Sequence, residues 1–264
     1  YVPLTQNGEL DMKAFKQLLT PKTKILSLAH ISNTLGTINQ VKEIINLAHK
    51  NKTLVIVDGA QSIAHLPIDV QDMDADFYCF SAHKVYAPMG IGVLYGKSEY
   101  LKKMYPYQGG GEMIKEVSMQ RTIFNDLPFR FEAGTPSVSD AIGLGSALQY
   151  ITQIGMTDIE KYENDLLVYA TDELKKINGI QIFGTSLNKT SCISFLVKGV
   201  HHLDLGTLLD MQGVAIRTGH HCAEPVMQYY GIEGTDRISF ALYNTEKEID
   251  NFISKLKNAL RMLE

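Results

Sequence analysis

The sequence predicts an α/β protein in which a mainly parallel sheet is followed by a smaller C-terminal α+β domain, and three observations carry that expectation. First, "KILSLAH" (24–30), "VKEIINLAHK" (41–50) and "TLVIVD" (53–58) follow one another as strand, helix and strand, an order whose default geometry is a right-handed parallel crossover. Second, "TLVIVD" is a short, apolar, β-branched run, the composition of a strand buried on both faces. Third, the texture changes near Ala141 to two long helical stretches and then four short strand candidates. The expected domains are therefore 1–140 and 141–264.

The elements can be justified in chain order. Asp11 is placed to cap a helix that ends near Leu19, where Pro21 stops it. Val41, Ile44, Ile45 and Ala48 share one face of the next helix. "DFYCFSAHK" (76–84) and "GIGVLYG" (90–96) supply two further strands, and residues 105–136 are the least regular stretch. "IGLGSALQYITQIG" (142–155) and "IEKYENDLLVYATDELKKI" (159–177) read as helices, followed by "QIFG", "CISFLV", "VAIRT" and "RISFALY" as strands. The last helix opens with Thr245 and Glu248 as a capping box, and Ile249, Phe252, Ile253, Leu256, Leu260 and Leu263 recur along it at helical spacing.

Composition narrows the function classes. Of the 264 residues, 45% are hydrophobic and 20% charged, the balance of a globular protein. A formal net charge of -4 argues against binding that neutralises nucleic-acid phosphates, so small molecules and proteins are the expected partners. Cys79, Cys192 and Cys222 are too few and too widely spaced for a disulfide framework, which fits a reducing compartment and a cytoplasmic location. No apolar run approaches the ~20 residues of a membrane span, and residues 1–10 lack signal-peptide features. The chain starts at Tyr1 rather than Met, which points to a piece of a longer protein.

Asp58 closes the run "LVIVD" and is expected at the carboxyl edge of the sheet, where open α/β sheets collect ligands. Taken alone, such an Asp caps the following turn. Lys84 follows another strand and is expected at the same edge, with Ser81 and His83 beside it; taken alone, it is a solvated surface lysine. Together the two point to pyridoxal phosphate, which needs a lysine for its aldehyde and an acid near its pyridine nitrogen.

The motifs "VDGAQS", "DFYCFSAHK", "RFEAGTP" and "RTGHHCA" occur in the order and approximate spacing of the pyridoxal-phosphate cysteine desulfurases. The resemblance is to the SufS-like branch of the class V aminotransferases with a short catalytic loop, and it runs from "HISNTLGTINQVKEI" to the end. It implies a PLP-dependent transferase of fold type I lacking the N-terminal part of the family domain, with 1–140 the remainder of the cofactor-binding large domain. It implies homodimers that convert L-cysteine to L-alanine, load sulfur on a cysteine as persulfide, and pass it to a sulfur-acceptor protein of iron-sulfur cluster assembly. Carried over by position, Lys84 matches the lysine that forms the Schiff base, and Asp58 the partner of the pyridine nitrogen. Gln61 and Asn33 resemble residues that contact the phenolic oxygen and ring. Ser81 and His83 resemble phosphate ligands, and Thr135 one that reaches the phosphate of the opposite subunit. Arg237 matches the arginine that holds the substrate carboxylate, with Arg217 lining the same pocket. Relatives tend to carry glycine where Ala82 and Ala87 stand, a difference that would matter if the backbone there had positive φ.

The same resemblance makes Cys222 the sulfur acceptor. A free thiol, with pKa about 8.5, is mostly protonated at neutral pH, so His220, His221 and the two arginines are candidates to favour its thiolate. A metal site is the competing reading, built from His201, His202, His220, His221 and Cys222, but adjacent histidines on an extended loop point apart and no metal-ligand spacing is present; no metal is expected. "GIGVLYG" misses the dinucleotide fingerprint by one position, and "QGGGEM" is either an anion cradle or a mobile turn. Two other functions stay open: a selenocysteine lyase acting on L-selenocysteine, and a non-catalytic assembly module.

Overall fold

Asp11 caps helix α1 (Met12–Leu18) as its sequence context predicts, its carboxylate accepting from the amides of Lys13 and Ala14 at 2.9 Å each. From here the computed structural model, which describes residues 1–263, builds a four-stranded sheet from β1 (Ile25–Ala29), β2 (Leu54–Asp58), β3 (Phe77–Ser81) and β4 (Gly92–Gly96), in that order. The first three strands are parallel, and β4 runs antiparallel to β3. The sheet is thus mainly parallel, as expected, with one antiparallel edge strand. Residues 82–91 hold only a 3-10 turn over Ala82–Lys84, and a connection that short can reverse the chain but cannot make a parallel crossover.

Helix α2 (Val41–Lys50) makes the predicted crossover and buries Val41, Ile45 and Ala48 against Val55, Val57 and Tyr78. Three single-turn helices were not legible in the sequence: α3 (Ser62–His65), α4 (Val70–Met73) and α5 (Ser98–Leu101). Four residues are too few to show a helical period. The other face of the sheet is open, with Ile25 60% and Leu94 53% exposed. At the amino edge, the buried Asp76 carboxylate is compensated by His49 at 2.9 Å, Lys97 at 2.9 Å and the Val55 amide at 2.8 Å.

The stretch read as irregular contains an antiparallel hairpin, β5 (Ile114–Val117) and β6 (Thr122–Phe124). Its strands are only four and three residues long, too short to show an alternating pattern. After it come α6 (Val138–Ile154) and α7 (Met156–Lys175), then a second sheet of β7 (Ile180–Phe183), β8 (Cys192–Val197), β9 (Arg217–Gly219) and β10 (Thr235–Ser239). Its order is β7-β8-β10-β9, antiparallel throughout. The strand expected over 214–218 is displaced to Arg217–Gly219, because only Arg217, Thr218 and Gly219 meet β10 in register.

Two further helices, α8 (His202–Asp210) and α9 (Glu224–Tyr230), were not foreseen. α8 is capped by the imidazole of His201, which accepts from the Leu203 amide at 3.3 Å, an uncommon cap. His201 also stacks on His202, ring centroids 4.4 Å apart. α10 (Glu246–Leu263) opens with the predicted capping box: Thr245 N donates to Glu248 Oε2 at 2.7 Å, and Glu248 N to Thr245 Oγ1 at 3.3 Å.

Helices α7, α8 and α10 cover one face of the second sheet, packing Leu166, Leu205 and Phe252 against Ile193, Phe195 and Ile238. A third cluster packs Leu144 and Ile151 of α6 and Ile159 of α7 against Ala64, Ala82 and Val85 of the first half. His65 and the fully buried Glu163 join α3 to α7 across 2.6 Å. Among the described residues no helix is long and apolar enough to cross a membrane, and no group of three or more His, Cys, Asp or Glu residues is arranged to hold a metal ion.

Candidate functional site

At the carboxyl edge of the first sheet, register sets the layout. Asp58 is the last residue of β2 and pairs with Cys79 of β3, so Ser81 and the turn carrying Lys84 emerge beyond the same edge. The exposed Asp58 carboxylate accepts from the Ala60 amide at 2.9 Å, which is the local capping role its position allows. Gln61 follows at the start of α3 and makes no capping bond. Ser81 Oγ and His83 Nδ1 lie 2.9 Å apart. Lys84 is exposed. Ala82 and Ala87 are not among the residues with positive φ, whereas Tyr86 is, at 64°. Ala82 is wholly buried in the third core cluster, so its methyl group acts as packing and brings no backbone strain.

A second group assembles on the other sheet. The chain leaving β1 first donates the His30 amide to Asp58 O at 2.8 Å, then forms a loop that returns to the bridge between Ile31 and Ile38. Gly36 shapes this loop: its φ is 73°, and a Cβ there would stand 2.6 Å from Thr190 O. At the tip, Asn33 Nδ2 donates to His221 O at 2.6 Å while Asn33 O accepts from Arg237 Nη1 at 2.6 Å. Loop 30–39 thus connects the edge bearing Asp58 to the strand bearing Arg237.

Arg237 of β10 and Arg217 of β9 are direct cross-strand partners. Like charges so placed repel each other, and no carboxylate pairs with either guanidinium among the described residues. Burial lowers the Arg237 pKa; the Cys192 and Cys222 thiols oppose that shift and Arg217 adds to it. Arg237 Nε is buried without a partner. Arg217 Nη2 stands 3.2 Å from Cys222 Sγ. Two adjacent guanidiniums are chemically suited to pair with a planar anion, and the thiol lies at their margin.

Cys222 sits on a β-turn closed by Ala223 N donating to His220 O at 2.9 Å. Its central residues, His221 and Cys222, have φ of 55° and 58°, the sign pattern of a type I′ turn, which normally calls for Asn or Gly. Left-handed backbone costs a residue with a side chain about 1–2 kcal/mol, and such strain collects at functional sites. His221 is 2% exposed, with Nε2 placed 3.0 Å from Thr235 O and 2.8 Å from Thr235 Oγ1. Burial, reinforced by Arg237, lowers its pKa to about 4. It is therefore neutral near pH 7 and turned toward Thr235, so it cannot supply the positive charge that the sequence suggested. Arg217 is the cation in contact with the thiol.

Thr135 is not drawn into either group. It is exposed, next to Gly134, whose amide bonds to Gly111 O at 2.9 Å, so "QGGGEM" lies beside Thr135. Sequence reasoning missed Thr235, whose link to His221 spans 14 positions and has no local signature. Clefts of about 210 Å³ beside the start of α10 and about 530 Å³ beside β1 contain none of these residues.

Comparison with known proteins gives a consistent result. The family model described as aminotransferase class-V matches residues 1–252. A cysteine desulfurase of Wigglesworthia glossinidia brevipalpis is 48% identical over 265 residues, covering 100% of this chain and 64% of that protein. A probable cysteine desulfurase of Xylella fastidiosa is 47% identical, covering 97% of this chain and 62% of that protein. The crystal structure of the cysteine desulfurase CsdA (S-sulfonic acid) from Escherichia coli superimposes with a TM-score of 0.94 at 40% identity, over 99% of this chain and 65% of that one. The apo structure of cysteine desulfurase from Thermococcus onnurineus NA1 gives 0.95 at 34% identity, over 99% and 66%. The chain thus spans somewhat less than two thirds of the length of these relatives.

Proposed function

Because the chain belongs to the class-V aminotransferase family, we propose that it is the larger, C-terminal part of a cysteine desulfurase that converts L-cysteine to L-alanine and retains the sulfur on Cys222. The observation that carries this reading is the guanidinium pair of Arg217 and Arg237 with the Cys222 thiol at its edge, 3.2 Å from Arg217. A carboxylate receptor beside an accessible thiol is what sulfur abstraction from an amino acid requires.

The donor set at the first sheet's edge fits pyridoxal phosphate. Lys84 offers an amine for its aldehyde, Asp58 a carboxylate for its pyridine nitrogen, and Gln61 and Asn33 amides for the ring region. Ser81 and His83, with Thr135 reaching across a homodimer, offer donors for its phosphate. When bound, the group supplies an electron sink for a carbanion at the substrate Cα.

The protein's own groups do the rest. Arg237 holds the substrate carboxylate through paired N–H donors. Lys84 moves the Cα proton as general base and acid. Arg217 favours the Cys222 thiolate, which attacks the sulfur of L-cysteine. One S–S bond forms and the Cβ–S bond breaks; its electron pair stays with carbon and is protonated, so the products are L-alanine and a Cys222 persulfide with no outside oxidant. A persulfide must be handed on, which calls for a sulfur-acceptor protein of iron-sulfur cluster assembly in the cytoplasm. The test is alanine release together with persulfide detection on Cys222 by mass spectrometry after supplying pyridoxal phosphate and L-cysteine. A marked preference for L-selenocysteine would replace the substrate assignment, and failure to bind the cofactor even when the preceding segment of the family domain is supplied would favour a non-catalytic module.

A further inference from the structure

Resting on the reading of Cys222 as the reactive thiol, we propose that His221 is its positioning residue: it fastens the strained turn to β10 and so keeps Cys222 Sγ against Arg217. Four observations carry this. The turn sets two successive left-handed residues, neither of them glycine, in a place where the sequence offers no local preference for that shape beyond the modest tolerance of histidine. The imidazole is almost fully buried and meets Thr235 at two atoms, 3.0 and 2.8 Å away. Since a carbonyl only accepts, Nε2 carries the proton and donates to Thr235 O, which leaves Nδ1 as the unprotonated nitrogen; Nδ1 has no partner. Finally, the carbonyl of His221 is itself pinned by Asn33 Nδ2 at 2.6 Å. One residue is therefore held at its ring and at its backbone, and its neighbour is the thiol.

A ring engaged in this way does not exchange protons with Cys222. It acts through geometry, and the sensitive quantity is the contact between Arg217 and Cys222. Two substitutions separate anchoring from simple turn preference. Asparagine suits left-handed backbone but is too short to place a donor where Nε2 stands, so His221→Asn keeps the turn and loses the anchor. Glutamine has the reach to donate to Thr235 O, so His221→Gln keeps the anchor in a less favourable backbone.

The readout needs neither cofactor nor substrate. Alkylation rates at Cys222 are measured by peptide mass spectrometry with anionic iodoacetate and neutral iodoacetamide, and their ratio reports the cation beside the thiol. Arg217→Ala is expected to lower the ratio about fivefold, the size of one close surface charge contact. His221→Asn should lower it by a similar factor, His221→Gln should restore most of it, and the double variant should fall no further than Arg217→Ala alone. A wild-type ratio in a folded His221→Asn protein, or an additive fall in the double variant, overturns the proposal. The desulfurase reading fails separately: absence of alanine formation in a cofactor-loaded protein with this alkylation pattern intact would reject that activity and leave the anchor standing.

Discussion

The two sheets of this molecule treat their reactive groups differently. On the second sheet, helices bury a continuous apolar face, and the polar groups at its margin are individually held: Arg237 by Asn33, His221 by Thr235 and Asn33, Cys222 by Arg217. On the first sheet, one face is open and Asp58, His83 and Lys84 project from the carboxyl edge with few fixed partners. The contrast separates two ways of preparing a site. One half orders its donors through tertiary contacts, and the other presents groups that a ligand must organise.

The sharpest test of that division is chemical. If Lys84 serves as proton carrier, Lys84→Ala should reduce alanine formation by about 10²–10⁴-fold and abolish the visible absorption of bound pyridoxal phosphate, measured by spectrophotometry. Cys222→Ser should reduce alanine formation to a comparable extent while the absorption band persists. Equal loss of the band in both variants would contradict the separation of roles.

Stability should divide along the same line. Phe195 is fully buried in the second sheet's core, and Phe195→Ala is expected to cost about 3–5 kcal/mol in denaturant unfolding. Leu94, half-exposed on the open face, should cost no more than about 0.5 kcal/mol when replaced by alanine. Similar losses at both positions would mean that the open face is covered in solution.

A smaller effect concerns pH. Burial lowers the pKa of His30 and of His221 to about 4, so their neutral forms stabilise the fold above pH 6.5, and that contribution is lost as pH falls toward 4. Burial raises Asp236, between Phe195 and Thr218 in the sheet, to about 8. Its contribution has the opposite sign, present below its unfolded value of 3.8 and lost as pH rises through about 8. Between pH 4 and 6.5 the two histidines outweigh the one carboxyl, so these groups together place maximum stability near pH 6.5. Asp236→Asn should flatten the decline on the alkaline side, as followed by thermal unfolding across that range; an unchanged slope would show that Asp236 finds a partner.

Much of this is legible in the sequence. β2 appears as a β-branched run and β8 as an apolar one because burial selects for such residues, Asp58 is exposed at a strand end because parallel strands deliver their last residues to one edge, and α10 declares its own cap. What stayed hidden depends on distance or on exposure. The bonds from Asn33 to His221 and from His221 to Thr235 cross 188 and 14 positions, and no local pattern encodes them. The hairpin of β5 and β6 has strands too short to leave a period, and α8 starts from a histidine where a hydroxyl or carboxyl would have signalled it. Two histidines beside a cysteine suggested charge, when one of them proves to be a neutral fastening.

Asn33 carries a consequence of its own. The guanidinium suited to grip an incoming acid group and the peptide oxygen that seats the thiol turn both lean on this one amide residue. It is a shared support: a shift of Arg237 that moved Asn33 would also disturb the bond holding the bend that bears Cys222, so under the proposed function carboxylate binding and thiol placement would share one hinge point.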